Sequence, residues 1–168
     1  MRPYDEEFER IYREYYGRVY AFLFRLCSSS DTAEDLMQET FCQAYISFPG
    51  YDGSCSVFTW LCAIAKNLFF KYLRRNRHAV IPLDLYVDTP SDDPDSEPGY
   101  RVSKEIEAEK LREAVASLPP KYADVIILRV FGELSYSEIS SKLGISVSSA
   151  KVIFFRAKKT LKEKLINE

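Results

Sequence analysis

The sequence has few of the residues on which most enzymes and metal sites depend. Among 168 residues there is one histidine, His78, and the four cysteines, Cys27, Cys42, Cys55 and Cys62, include no Cys-x-x-Cys pair. Because zinc sites usually show closely spaced ligand pairs, we expect reduced packing thiols, with a redox-sensing thiol as the alternative, and no metal or other cofactor. A glycine-rich phosphate loop and an acid–base constellation are also missing, which argues against an enzyme.

Long apolar runs are missing as well. No run approaches the ~20 residues that a bilayer span requires, and the first residues, "MRPYDEEFER", lack the apolar segment of a signal peptide. We therefore expect a cytoplasmic protein without membrane insertion. A hydrophobic content of 46% is sufficient for the core of one ordinary domain or two small ones.

The positive charge of the chain is local, although the net charge is only −2. No aspartate or glutamate lies between Asp52 and Asp84, and basic side chains cluster over Lys66–Arg77 and again over Lys151–Lys164. Because nucleic-acid binding depends on local rather than total charge, these two clusters indicate candidate DNA-facing surfaces.

The apolar periodicity is helical, without sustained strand-like alternation, and predicts an all-α protein. Residues 5–27 predict a first helix. A second helix is predicted to start with Asp31 as its N-cap and Glu34 completing a capping box, and to end at Pro49–Gly50. Residues 56–78 predict a third helix.

A change of composition divides the chain. Residues 81–104 hold six acidic and two basic side chains and several prolines, which predicts an extended acidic linker. We expect two small helical domains, residues 1–80 and 105–168, on either side of it. In the second domain, an amphipathic helix is followed by one that opens at Pro119–Pro120 and closes at Gly132.

The end of the second domain predicts a helix-turn-helix. Ser135 and Glu138 form a capping box for a short helix that ends at Gly144, and Ser146 caps a longer basic helix that runs towards Leu165. A basic second helix after a tight glycine-containing turn is typical of DNA-binding domains, although many short helix pairs bind no DNA.

A helical wheel divides this last helix into two faces. The predicted core face holds Val147, Ala150, Phe154, Ala157, Leu161 and Leu165. Side chains that can contact phosphates or base edges lie opposite or on the flanks: Ser148, Ser149, Lys151, Val152, Arg156 and Lys159. Val152 could touch a thymine methyl group. Alternatively, Val152 and Phe155 dock on a neighbouring helix or on a partner protein.

The third helix carries the only tryptophan of the chain within its most basic segment. Trp60, Asn67, Lys71 and Arg74 align on a stripe apart from the apolar sector, with His78 at its end. Such a stripe can stack unpaired bases, at ~1–3 kcal/mol per base. The alternatives are a tryptophan packed under the lysine and arginine stems, and a membrane-surface helix, which the two apolar helices upstream disfavour.

The second helix predicts an acidic surface. Asp35, Gln38 and Glu39 lie on the side opposite its apolar residues. This face could bind a basic protein surface, or it could simply be solvated.

Three segments together resemble one protein family. They are "DTAEDLMQETFCQAY", "FTWLCAIAKNLFFKYLRR" and "LPPKYADVIILRVFGELSYSEISSKLGISVSSAKVIFFRAKKTL". In this order, on both sides of a linker, they resemble regions two and four of bacterial RNA polymerase sigma factors. The short length resembles the extracytoplasmic-function (ECF) group of that family.

The resemblance implies core RNA polymerase and promoter DNA as partners and an anti-sigma factor as regulator. Asp35, Gln38 and Glu39 would contact the β′ clamp helices, and the protein would also contact the β flap. The linker would thread towards the polymerase active centre, and the polymerase would supply all the chemistry.

The resemblance also implies where promoter DNA binds. The loop "PGYDGSCS" and the third helix would capture and melt the −10 element, and the last helix would read the −35 element in the major groove. The residues expected to form the −10 surface are Trp60, Asn67, Lys71, Arg74 and Arg75.

Two departures from the family pattern affect these surfaces. Lys71 stands where members often carry aspartate, and Val152–Ile153 stands where they often carry Ser-Arg. We therefore expect −35 readout by Ser148, Ser149, Lys151, Val152, Arg156 and Lys159. The alternative function is a two-domain helix-turn-helix regulator that binds DNA without joining polymerase.

Overall fold

The computed structural model describes residues 2–76 and 98–167, with the backbone alone for residues 98–105. Every regular element in these ranges is helical, which confirms the all-α prediction. The α-helices of the described ranges are α1 Asp5–Cys27, α2 Ser30–Ser47, α3 Val57–Asn76, α4 Pro98–Ala116, α5 Pro120–Ile126, α6 Tyr136–Leu143 and α7 Val147–Ile166. None of them combines the length and the apolar character needed to span a lipid bilayer.

The first helix has the predicted bounds, but the start of α2 differs from the prediction. Ser29, not Asp31, is the N-cap, because the Ser29 Oγ accepts a hydrogen bond from the Thr32 amide at 3.3 Å. Asp31 lies in the first turn of α2, where its negative charge is stabilised by the positive end of the helix dipole. Two residues therefore suffice to connect α1 to α2.

The first three helices pack on one another pairwise and share a core. Val19, Phe22 and Leu23 from α1 and Leu61 from α3 are fully buried. Thr40 is also fully buried, and its hydroxyl donates a hydrogen bond to the Leu36 carbonyl at 2.6 Å. The buried hydroxyl is therefore paired and does not destabilise the core.

The second half begins earlier than its apolar pattern predicts. α4 starts at Pro98, so the backbone of residues 98–104, which the composition predicts as linker, is helical. Proline is compatible with the first turn of a helix, since the amide hydrogen that it lacks would have no intrahelical partner there. Residues 81–97 of the predicted linker lie outside the described residues.

The helix that is predicted to close at Gly132 changes pitch before it ends. After α5, residues Ile127–Phe131 form a π-helical turn, in which the Gly132 amide donates to the Ile127 carbonyl at 3.0 Å. A Cβ atom at Gly132 would lie 2.8 Å from the Leu128 carbonyl oxygen. Glycine is therefore required here by the close approach of the backbone.

The helix-turn-helix prediction is confirmed in its local geometry. The Ser135 Oγ accepts from the Glu138 amide at 3.1 Å, and a Glu138 carboxylate oxygen accepts from the Ser135 amide at 2.7 Å, which is a complete capping box. Gly144 ends α6 in the left-handed region with φ 66°, and Ser146 caps α7. These three devices fix the angle at which α7 leaves the turn.

The predicted core face of α7 is correct only in the middle of the helix. Ala150 and Ala157 are fully buried, and Phe154 and Leu161 are half-buried, but Val147 and Leu165 are exposed. α7 has 20 residues whereas α5, against which it packs, has seven. At 1.5 Å per residue, α7 is longer than α5 by about 20 Å, so α5 covers only part of its length and the terminal apolar side chains Val147 and Leu165 remain exposed.

The two halves of the chain pack against each other. α3 contacts α6 and the π-helical turn, and α1 also contacts that turn. Arg25 and Glu133 form an ion pair of 3.5 Å across the contact, in which both side chains are largely exposed. A cavity of about 440 Å³ remains between the halves, lined in part by Arg18, Arg25 and Glu138.

Candidate nucleic-acid and protein interfaces

The surface of α7 presents all six residues that are predicted to face the −35 element. Ser148, Ser149, Lys151, Val152, Arg156 and Lys159 are each exposed. Together they form a continuous face that starts at the helix N-terminus, where backbone amides favour negatively charged groups. The geometry is suited to a DNA contact, since phosphate-binding cations and base-facing side chains lie on one helix.

The two serines at the start of α7 differ in their availability. The Ser149 amide donates to the Ser146 Oγ at 3.0 Å, and the Ser146 hydroxyl donates to the Ser149 Oγ at 2.9 Å. Ser149 is therefore engaged by the helix cap. In the described part of the chain, the Ser148 hydroxyl has no such bond, which makes Ser148 the better placed of the two to meet a ligand.

Tyr136 connects α6 to the basic surface of α7. The Arg129 guanidinium lies over its ring at 4.3 Å from the centroid, and the Lys151 ammonium lies at 5.9 Å from it. Each cation is attracted to the face of the ring. Tyr136 thus helps to orient Lys151, a role that no spacing in the sequence indicates.

Four of the five residues predicted for the −10 surface are exposed on α3. Asn67, Lys71, Arg74 and Arg75 lie on its second half and are open to solvent. Residues 77–80, which include the last cation of this cluster, lie outside the described residues. The exposed part of the surface is therefore the second half of α3.

The exposed position predicted for Trp60 is wrong. Trp60 is 8% exposed and belongs to the hydrophobic core. Its ring lies 4.9 Å from that of Tyr51 and 6.2 Å from that of Phe48, centroid to centroid. Both partners come from the turn and loop that follow α2. This segment therefore covers Trp60, and the Trp60 ring packs against it and holds it in place.

The loop that covers Trp60 is held by its own hydrogen bonds. The Tyr51 hydroxyl donates to the Cys55 carbonyl, and Asp52 Oδ1 accepts from the Ser54 amide at 2.9 Å. The second of these bonds lowers the pKa of Asp52. Gly53 lies between them in the left-handed region, with φ 72°. The loop is thus an ordered tight turn that lies over the first turns of α3.

α2 presents Asp35, Gln38 and Glu39 to solvent, as predicted. Beside Gln38 lies an open apolar groove of about 550 Å³. Its lining residues are Tyr12, Gln38, Phe41, Cys42, Tyr45 and Ile46. Acidic and amide groups next to exposed apolar surface are more typical of a protein-binding surface than of a merely solvated helix face.

A hydrogen bond fixes one wall of this groove. The Tyr45 hydroxyl donates to Asp5 Oδ1 at 2.7 Å. This bond and a second from the Arg2 amide lower the pKa of Asp5, while the same bond to Asp5 raises the pKa of Tyr45. The aromatic wall is therefore tied to the start of α1.

Lys66 belongs to the basic cluster of the sequence but not to the basic surface. Its Nζ donates to Asp124 Oδ1 at 2.6 Å, across the contact between the halves. The Lys66 side chain is 6% exposed and that of Asp124 is 25% exposed. Lys66 lies four residues after Cys62 and seven after Thr59, both buried on the same helix face, and the packing of α3 on the second half accounts for its burial.

The cysteines are free thiols in different surroundings. Cys27 and Cys62 are buried, Cys55 is half-buried and Cys42 is exposed. Burial raises the pKa of Cys62 to about 12 and also raises those of Cys27 and Cys55. Among the described residues, no three histidine, cysteine or acidic side chains cluster in a way that could hold a metal ion.

Known proteins resemble both halves of the chain. The Sigma-70 region 2 family matches residues 11–79, and the Sigma-70, region 4 family matches residues 108–161. The ECF RNA polymerase sigma factor SigM of Bacillus subtilis (strain 168) is 35% identical over 155 residues, which are 92% of this chain and 92% of that protein. The RNA polymerase sigma factor YlaC of the same organism is 32% identical over 164 residues, 95% of this chain and 92% of that protein.

A solved structure supports the fold. The sigma factor RpoE from Bartonella quintana, in complex with the anti-sigma factor NepR, matches 95% of this chain and 97% of its own, with a TM-score of 0.55 and 22% identity. At that identity the likeness concerns the fold alone. The family follows from the relatives above 30% identity, which match over nearly their whole length. The chain belongs to the ECF group of bacterial RNA polymerase sigma factors.

Proposed function

We propose that the protein is a promoter-specificity subunit, which joins core RNA polymerase in the cytoplasm and directs it to −10 and −35 promoter elements. The observation that carries this proposal is the separation of charge between its surfaces. Acidic and amide groups are exposed on α2, whereas cations are exposed on α3 and α7. One chain thus offers a surface for a basic protein partner and two surfaces for DNA.

The polymerase contact is assigned to α2. Asp35, Gln38 and Glu39 would face the β′ clamp helices, and the apolar groove beside Gln38 would receive an apolar side chain of the partner. Such a pairing of a charged rim with an apolar centre is typical of protein interfaces. The second half of the chain would contact the β flap.

The −10 contact is assigned to the second half of α3 and the loop that follows α2. Asn67, Lys71, Arg74 and Arg75 would hold the DNA backbone, and the loop that Trp60 supports lies over the first turns of the same helix. In this arrangement Trp60 acts by positioning the loop. Strand opening would then require an ordered loop against which an unpaired base can rest.

In the structure the two halves pack against each other, and we call this the closed arrangement. In this arrangement the protein cannot span a promoter. The names of the two elements place them about 25 base pairs apart, which is about 85 Å of duplex. A compact chain of this length has a radius of gyration of about 15 Å, and hence a diameter of about 40 Å. We propose that the halves separate when polymerase binds.

The same reasoning predicts weak DNA binding by the free protein. Each half alone offers few contacts, and the gain in effective concentration from linking them needs a scaffold that sets their spacing. Tight, sequence-specific binding of promoter duplex by the free protein would contradict this proposal.

The experiment that tests the proposed function combines polymerase association with transcription. Purified protein and core polymerase should form a complex and produce promoter-dependent run-off transcripts. Glu39→Ala should weaken the complex about tenfold or more, which corresponds to about 1.4 kcal/mol, whereas Glu14→Ala, an equal change of charge on the exposed surface of α1, should not.

One result would favour the alternative function. A protein that binds duplex DNA alone, without co-eluting with polymerase, would be the helix-turn-helix regulator. The relatives that share both regions are RNA polymerase sigma factors, which favours the polymerase subunit. An enzymatic role is not proposed, because the polymerase supplies the chemistry.

An anti-sigma factor is the proposed regulator. The structural relative from Bartonella quintana was solved with such a partner. A protein that contacts both halves at once would hold them in the closed arrangement. Affinity purification from a native lysate should recover a protein that inhibits transcription in the reconstituted system, and the absence of such an inhibitor would count against this regulation.

A further inference from the structure

Two large apolar side chains lie on the solvent side of the second helix of the helix-turn-helix. Val152 is 47% exposed and Phe155 is 72% exposed, whereas Ala150 and Ala157 of the same helix are fully buried. Residues three apart on a helix are neighbours on its surface. Val152 and Phe155 therefore form one apolar pair.

The charges around this pair indicate what covers it. α7 carries six cations and one acid, Glu163. Lys151, Arg156 and Lys159, which flank the pair, are all exposed. An apolar partner surface would leave these three cations without counter-charges, whereas a nucleic acid provides phosphates to neutralise them.

The position of the pair along α7 is suited to the bases rather than the backbone. In a helix-turn-helix the first turns of the second helix enter the major groove. Val152 and Phe155 are the sixth and ninth residues of α7, about 8 and 12 Å from its start at 1.5 Å per residue. They thus lie within the part of the helix that reaches base edges.

The chemistry of the pair selects one base. Valine and phenylalanine side chains cannot form hydrogen bonds. A donor or acceptor on a base edge that they cover would lose its hydrogen bonds to water without gaining new ones, which is unfavourable. Among the four bases only thymine presents a methyl group in the major groove. An apolar pair therefore favours thymine by contact with its C5-methyl group.

We propose that Val152 and Phe155 read thymine methyl groups within the −35 element, so that specificity at those positions depends on the methyl group rather than on hydrogen bonds. This inference rests on the proposed function. It assigns Phe155, which lies outside the residue set expected from the sequence, to the specificity of the promoter contact.

The test removes the methyl group and nothing else. A promoter is first selected from a library randomised over the −35 region, by transcription with the full-length protein and core polymerase. Each thymine of the selected element is then replaced by deoxyuridine, which lacks only the C5-methyl group. For the wild-type protein we expect a loss of about three- to fivefold in transcription at one or two positions, the size expected for one buried methyl group.

The variants assign the methyl contact to the pair. Val152→Ala and Phe155→Ala should transcribe thymine and deoxyuridine templates equally at the position that each residue reads. Ile166→Ala serves as the matched control, because Ile166 is 70% exposed at the far end of α7, and it should keep the wild-type preference for thymine.

Two outcomes would overturn the inference. If wild-type protein transcribes every deoxyuridine template as well as the thymine template, the pair does not read methyl groups, while the promoter-dependent transcripts still support the proposed function. A partner protein would then be its occupant. If no promoter-dependent transcript is obtained at all, the proposed function fails and this inference fails with it.

Discussion

The buried ion pair between Lys66 and Asp124 tests how the two halves of the protein are held together. Its atoms lie 2.6 Å apart, with Lys66 6% and Asp124 25% exposed. Lys66→Met keeps the aliphatic volume and removes the charge. The Asp124 carboxylate then loses this partner in a site with limited access to water.

The expected cost follows from the burial of the two groups. Removing one partner of a fully buried pair costs about 3–5 kcal/mol. Because water still reaches a quarter of Asp124, we expect Lys66→Met to lower the free energy of unfolding by about 2–3 kcal/mol. The double variant Lys66→Met/Asp124→Leu should recover most of this, since an apolar pair often replaces a buried ion pair without loss.

Urea unfolding gives the free energies by linear extrapolation. Tryptophan fluorescence reports the first half alone, because Trp60 is the only tryptophan, while circular dichroism reports the helices of both halves. Lys71→Met, exposed on the same helix, is the control and should change stability by less than about 0.5 kcal/mol. If Lys66→Met behaves like this control and the double variant is no better, the pair does not hold the halves together.

The same variant tests whether polymerase binding opens the contact between the halves. A closed form destabilised by about 2 kcal/mol costs less to open, so the apparent affinity of Lys66→Met for core polymerase should rise, by up to about 30-fold. An unchanged affinity, together with the expected loss of stability, would show that polymerase does not have to open this contact.

Three further predictions concern the core and the thiols. Trp60→Ala should destabilise the first half by about 3–5 kcal/mol, as expected for a buried tryptophan, and Trp60→Phe by clearly less; equal effects in urea unfolding would place Trp60 outside the core. Gly132→Ala should lower stability by more than about 1 kcal/mol because its Cβ would lie 2.8 Å from the Leu128 carbonyl oxygen, and an unchanged melting temperature would show that the π-helical turn relaxes. In alkylation at pH 8, exposed Cys42 should react first and Cys62 last, since a pKa of about 12 leaves about one thiol in ten thousand ionised; mass spectrometry of the peptides would reveal any other order.

The helices and their ends follow from local chemistry, and so they could be predicted from the sequence. The capping box at Ser135 and the left-handed Gly144 depend on residues within one turn of each other. The misplaced N-cap of α2 shows the limit of such rules, because Ser29 and Asp31 are both good caps and their order along the chain does not decide between them.

The contacts between the halves could not be predicted, since they depend on residues far apart in the chain. Lys66 and Asp124 are 58 residues apart. Nothing near Asp124 in the sequence distinguishes it from a solvated acid. Only the packing of α3 on the second half removes Lys66 from the basic surface, and with it one of the cations that the composition assigns to DNA.

The burial of Trp60 shows why a helix face does not define a surface. Trp60 shares its direction around α3 with Asn67, Lys71 and Arg74, since steps of seven, eleven and fourteen residues return to nearly the same angle. It differs in its position along the axis, because the loop after α2 covers the first turns of α3 and leaves the later turns exposed. The stripe is therefore continuous in direction but divided in function. Its first part supports the loop after α2, and its later part presents cations to solvent.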